Sequence, residues 1–209
     1  MSITNAKILP AVFALLLLTA CAWTPQRGDL LFVVGGDSRM SEAIVASTAT
    51  ADSLQFDHVA MFAGTRRHPY VVEAEPQHGV VRTGWKEFRK SACRGLVVKR
   101  LTLDYPKDDA IARAESLLGQ PYDWAYRPDN GMTYCSELIE YSYRRADGSR
   151  IFRARPMRFR AADGTMPDFW VEIFKRIGET VPEGVPGTNP NDMARDSLLR
   201  FVRFVRIVR

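Results

Sequence analysis

Cys135 opens a stretch, CSELIEYSY, whose apolar residues recur at helical spacing. Cys135, Leu138, Ile139 and Tyr143 fall on one face, Thr133 is placed to cap, and Arg144 and Arg145 precede Gly148. A helix is therefore predicted over 133–145. A thiol in the first turn of a helix faces unpaired backbone N–H groups and the positive end of the helix dipole. That setting favours the thiolate, the nucleophilic form, and the same N–H groups can hold a developing oxyanion. Free cysteine is also among the most buried residue types, and position alone does not separate the two readings. The three histidines (His58, His68, His78) and three cysteines (Cys21, Cys93, Cys135) never stand at CxxC or HxxxH spacing, so no metal site is expected. No Gly-rich phosphate cradle or dinucleotide fingerprint occurs either, so no cofactor is expected.

The elements that must position such a thiol begin as strands. Residues 29–34 (DLLFVV) are a β-rich run closed by Gly35-Gly36, and 38–50 is a weakly amphipathic helix. Residues 56–63 and 70–74 are strands joined by GTRRHP, where Gly64 and Pro69 mark a reversal. Two more β segments, 79–82 and 95–101, flank a short helix or turn at 84–90. The period then changes. Residues 106–118 carry apolar positions 110, 111, 114, 117 and 118, with acids in the first turn and Gly119 beyond the end, the marks of an amphipathic helix. Later, 168–177 reads as a helix, 178–190 as a Pro/Gly-rich loop, and a terminal helix is expected from Asn191. Strands first and helices later indicate an α+β fold rather than a parallel doubly wound sheet. The chain of 209 residues, 46% hydrophobic and 25% charged, excludes disordered, collagenous and disulfide-dense classes, and allows one domain or two small ones.

The start of the chain has a separate logic. Lys7 precedes an almost wholly apolar run at 8–18, and Leu18-Thr19-Ala20-Cys21 follows. Eleven helical residues rise only about 16 Å, half a bilayer core, so an export signal is expected at 1–20 rather than a span. Leu18-Thr19-Ala20-Cys21 also resembles a bacterial lipobox, which implies lipidation of Cys21, with a short anchored lead at 21–27 and the folded domain over 28–209. An ordinary signal cut near Ala20 or Ala22 is the plainer alternative. Removing Lys7 with the leader lowers the net charge from +5 to +4, too mild to suggest nucleic acid. Seven arginines crowd 144–160 against one acid, Asp147, and Arg200, Arg203, Arg206 and Arg209 recur in the tail. Such clusters can touch anionic headgroups, but they more often form solvated faces with local ion pairs.

Residues 117–143 (LLGQPYDWAYRPDNGMTYCSELIEYSY) resemble the nucleophile segment of NlpC/P60 cysteine peptidases: a Gly-x-Pro-Tyr-x-Trp block, a Gly-containing loop, then Cys-Ser and a helix. That family places histidine after cysteine, and here no histidine follows Cys135. The circularly permuted branch reverses the order. Gly28-Asp29-Leu30-Leu31-Phe32 is similar to its opening strand, 56–62 (FDHVAMF) to its histidine strand, and Val71-Val72-Glu73-Ala74 to its acidic strand. The resemblance runs from 28 to 143 and is closest to the YiiX/YaeF-like enzymes. It implies a permuted papain-like fold with an antiparallel sheet packed against helices. It also implies Cys135 as nucleophile, His58 as general base and acid, and Glu73 orienting the imidazole. Strand parity alone allows Glu75 as well as Glu73. His68, in a turn, and His78, beside Gly79, read as surface residues. Tyr122 matches a tyrosine lining the substrate side of the cleft, with core packing against Trp124 as the alternative. Tyr134 and Ser136 flank the nucleophile, and the Cys135 N–H is the first oxyanion donor. Cys93 is expected to be a free or buried thiol.

The activity so implied is an exported thiol hydrolase acting on an amide or peptide bond at the cell envelope, with peptidoglycan stem peptides as one candidate. A lipid acyl hydrolase or acyltransferase using the same triad, and a non-catalytic envelope binding protein, are the rival readings. The partners expected are the envelope substrate and a membrane reached through the N-terminal lipid, with no nucleic acid.

Overall fold

The runs LLFVV, FDHVAMF and LVVKRL are apolar at both odd and even positions, so both faces of the strands they form must be covered. A computed structural model describes residues 23–92 and 94–207 of the chain. The expected leader 1–20, Cys21 and Cys93 lie outside the described residues. The three runs become β1 (Leu30–Val34), β2 (Phe56–Phe62) and β5 (Leu96–Leu101), the middle of the main sheet. With β3 (Tyr70–Glu75), β4 (Gly79–Gly84) and β8 (Leu199–Val205) they form a six-stranded sheet ordered β4-β3-β2-β1-β5-β8. Every neighbouring pair in it is antiparallel.

One face carries Phe32, Val59, Met61, Val72 and Val97. It is covered by α1 (Arg39–Thr48), α3 (Lys107–Glu115), α4 (Cys135–Ser142) and α5 (Asp168–Ile177). The other face, with Leu31, Ala60, Phe62 and Val98, is closed by Trp85 and Phe88 of α2 (Trp85–Ser91). Each face therefore has its own apolar core. At the head of β1, the fully buried Asp29 receives Arg100 from β5 (Nη2–Oδ2 2.8 Å). Gly28 adopts φ +78° and its carbonyl accepts from the Tyr143 hydroxyl (2.6 Å), tying β1 to the end of α4. The Gly-Asp pair is structural, since a buried carboxylate needs its cation and its hydrogen bonds.

The expected α+β architecture is present, with three differences in detail. First, α4 starts at Cys135 and not at Thr133, because the Thr133 hydroxyl donates to Gln120 Oε1 (2.7 Å) rather than capping. Second, the loop 178–190 contains β7 (Pro186–Gly187), which pairs with β6 (Arg155–Pro156) in a minimal hairpin. Third, the terminal helix is only α6 (Pro190–Ala194), and the chain then returns as β8 at the sheet edge. Leu199, Val202 and Val205 stand three apart and imitate a helical stripe. In the strand, Arg203 opposes Val98 and Phe201 opposes Lys99, so Val202 is the extra residue of a bulge.

Candidate active site

The ladder between β2 and β3 is confined to Met61↔Val72 and Phe62↔Val71. Nearer the start of β2 the two strands have no paired residues, and there the side chains of His58 and Glu73 meet. His58 Nε2 lies 2.7 Å from Glu73 Oε2. The carboxylate is buried and the imidazole is 19% exposed. Phe88 of α2 packs beside the imidazole, ring centroids 6.3 Å apart. The neighbouring Glu75 is engaged elsewhere, accepting from the Gln77 N–H (2.9 Å) and contacting exposed His78. His68 is exposed in the β2–β3 turn.

The N-terminus of α4 approaches the same imidazole from the helical layer. Cys135 is the first helical residue and is buried. Its side chain stands close enough to His58 to favour the charged ring, and with Nε2 engaged by Glu73 the other ring nitrogen is Nδ1. Burial penalises a charged imidazole, but its interactions with Cys135 and Glu73 outweigh it. His58 is held well above its ordinary value. For Glu73 burial also opposes charge, and the His58 contact overcomes it, so its pKa is lowered. An imidazolium–carboxylate pair is the state this pocket favours. Two residues along α4, burial and then the nearby Asp123 carboxylate push Glu137 up to about 8.

The linker from α3 to α4 shapes the cleft. Gly79 has φ +72°, and a Cβ there would stand 2.0 Å from the Gln120 carbonyl. The bare backbone lets Val80 N donate to Gln120 O (2.9 Å) and Gly119 N to Val80 O (2.9 Å), which pins the linker to β4. Beyond it, fully buried Asp123 accepts from the backbone N–H of Ala125 (2.9 Å) and Arg127 (2.8 Å). The turn so formed places Tyr126 at φ +51°, a backbone conformation costly for a residue with a large side chain. Its ring lies 5.1 Å from Tyr134 and 5.6 Å from Trp170, and its hydroxyl is 3.4 Å from that of Tyr122.

These aromatics wall a small cavity of about 50 Å³ beside Cys135, completed by Ser136, Met157 and Thr188. Tyr122 lines this cavity and also packs edge-on against Trp124 (5.1 Å), so both of its expected settings occur together. Tyr134 is buried and accepts from the Thr188 N–H (3.0 Å). Ser136 is fully buried, and its Oγ, like Asp57 Oδ1 and Thr188 Oγ1 on the same cavity, has no hydrogen-bond partner among the described residues. Tyr126, Asp57 and Thr188 were not singled out by sequence reasoning. Position 126 bears no Gly or Asn to announce a positive φ, and the other two are brought in by long-range packing. Among the described residues no group of three or more His, Cys, Asp or Glu could hold a metal ion.

A thiol at a helix start, an imidazole held in its charged form and a buried carboxylate in one neighbourhood are the groups that nucleophilic acyl transfer uses. Comparison with known proteins agrees in kind. Residues 24–203 match the family described as permuted papain-like amidase enzymes of the YaeF/YiiX type. The uncharacterized protein YiiX of Escherichia coli is 30% identical over 168 residues, 78% of this chain and 78% of that protein. A crystal structure of YiiX from Escherichia coli, described as a metalloprotein, superposes with a TM-score of 0.66 at 24% identity, covering 87% of this chain and 98% of that one.

Proposed function

The chain belongs to the YaeF/YiiX family of permuted papain-like amidases, and on that premise we propose that it is a thiol hydrolase working through Cys135, His58 and Glu73. The observation that carries this reading is the single imidazole shared by a buried carboxylate at 2.7 Å and a thiol at the head of a helix. Cys135 Sγ attacks the carbonyl carbon of an amide while its proton rests on His58 Nδ1. The oxyanion is held by the Cys135 N–H, which makes no backbone hydrogen bond of its own. Collapse of the tetrahedral intermediate passes the His58 proton to the leaving amine and leaves a thioacyl enzyme. Water, deprotonated by His58, then releases the acid and restores the thiol. Glu73 holds the ring in place throughout and supports its charge while the proton is on it.

The enzyme acts at the cell envelope, exported by the 1–20 leader and tethered by lipid on Cys21. Its substrate is an amide or peptide bond there, with peptidoglycan stem peptides as the first candidate. The apolar walls of the cavity beside Cys135 favour a second reading, in which the same triad removes or transfers a lipid acyl group. Incubating the mature protein with purified peptidoglycan and, separately, with lipid extracts, followed by mass spectrometry, distinguishes them. New amine and carboxyl termini in peptidoglycan that vanish with Cys135→Ala support the first. Released or transferred acyl chains support the second, and no Cys135-dependent product in either overturns both.

A further inference from the structure

Two observations at the opposite edge of the sheet from β4 converge on one surface. Among the described residues the outer edge of β8 has no strand beside it, and β8 carries their most exposed large apolar side chain, Phe201 (60%), together with Phe204 (41%). Arg200, Arg203 and Arg206 are exposed along it and form no ion pair among the described residues, and no acid occurs after Asp196. An edge strand is commonly blunted by charge. Arginines interleaved with exposed phenylalanines do more, because aromatic and cationic side chains together suit the boundary between headgroups and acyl chains.

The second observation fixes where the chain enters. Trp23 packs on this edge, its ring 5.1 Å from the Arg203 guanidinium and in the same apolar cluster as Val202, Val205 and Ile207. Only Ala22 stands between Trp23 and Cys21, a reach of at most about 7 Å. A bilayer holding an acylated Cys21 therefore lies within reach of the β8 edge, which turns Arg203 to the Trp23 side of the sheet and Phe201 and Phe204 to the other. We propose that the β8 edge, with Trp23, Phe201, Phe204 and the three arginines, is a docking surface for an anionic lipid bilayer. This rests on the anchor reading above and adds a second, non-covalent attachment, which a lipidated protein needs for stable and oriented binding. It also orients the enzyme: β5 and β1 separate β8 from β2, so His58 stands about 14 Å along the sheet from the membrane edge.

Bilayer contact is read by quenching with brominated acyl chains. Mature full chain carrying Phe201→Trp, or Val171→Trp on exposed α5, is reconstituted in vesicles of brominated phosphatidylcholine with phosphatidylglycerol. The tryptophan at 201 should be quenched at least about twofold more than that at 171. The excess should shrink when phosphatidylglycerol is omitted and in the Arg200→Gln, Arg203→Gln, Arg206→Gln variant. Equal quenching at the two sites overturns the proposal. So does an unquenched 201 in a protein that sediments as a dimer, which would give the edge to a second copy. The mass of the mature N-terminus reports on the anchor separately. Acylated Cys21 with an unquenched 201 overturns the docking surface alone, whereas an unacylated chain still quenched at 201 supports docking and overturns the anchor.

Discussion

His58 is gripped from two sides, and the two contacts have separable consequences. The carboxylate of Glu73 keeps Nε2 engaged and supports the positive ring, while Glu75 is turned toward His78 and the 77 amide. Glu73→Gln preserves volume and one acceptor but removes the charge, so turnover should fall by roughly two or more powers of ten, the scale of positioned acid–base assistance. Glu75→Gln should cost far less when the two are assayed side by side, and a large loss at Glu75 with near-normal Glu73 would reverse the roles. The pair also links stability to pH. His58 is raised above its ordinary 6.5, so its contribution is complete below that value and fades as pH rises through the raised one. Glu73 is lowered below its ordinary 4.5, so its contribution holds above that value and fades as pH falls through the lowered one. The difference in melting temperature between wild type and Glu73→Gln should therefore be largest from about pH 5 to about pH 6.5 and shrink as pH rises through the raised pKa of His58. Calorimetry across that range checks it, and a difference that widens with pH contradicts it. Parity could not separate the two glutamates, because both lie on the His58 face. The separation depends on how far the β2–β3 ladder extends, and no local pattern encodes that.

The start of β2 is set by a distant element. Asn191, in α6, is 2% exposed; its Oδ1 accepts from Phe56 N (2.7 Å) and its Nδ2 donates to Phe56 O (2.9 Å) and Thr48 Oγ1 (2.7 Å). This clamp sits two residues before His58. Asn191→Ala leaves buried backbone groups of Phe56 unpaired, so stability should drop by about 1–3 kcal/mol, with a loss of turnover beyond the unfolded fraction. Denaturant titration alongside activity measures both. Unchanged stability would mean that β2 is held by the sheet alone. Elements that advertise themselves locally were legible: the apolar strands β1, β2 and β5, the capped periodicity of α3, and α5. The thiol at a helix start was legible too, within two residues. What escaped was non-local. The bulge at Val202 disguised β8 as a helix, and the β6–β7 hairpin, two residues a side and rich in Pro and Gly, has no period to read. Tyr126 owes its strained backbone to a buried Asp123 turn that the residue types do not announce.

At the scale of the whole molecule, a single sheet joins the β2–β3 cleft to the β8 edge beside Trp23. Among the described residues no helix is long and apolar enough to cross a membrane. Cys21→Ser should move the protein out of the membrane fraction without unfolding it, because it exchanges one sulfur for oxygen and leaves the packed residues from Trp23 onward unchanged. Unchanged fractionation, or a mature N-terminus elsewhere than position 21, contradicts the anchor. The permuted topology was legible through the resemblance, whose histidine and acidic strands precede the cysteine helix in the order this chain shows. The account as a whole depends on Cys135 being a nucleophile activated by His58. The direct measurement is its rate of alkylation by iodoacetamide at neutral pH, resolved by peptide mass, in wild type and in His58→Ala. Cys135 should react at least about tenfold faster in the wild type than in the variant, and faster than Cys93 in the same molecules. Equal rates for Cys135 with and without His58, or a Cys135 slower than Cys93, would contradict it.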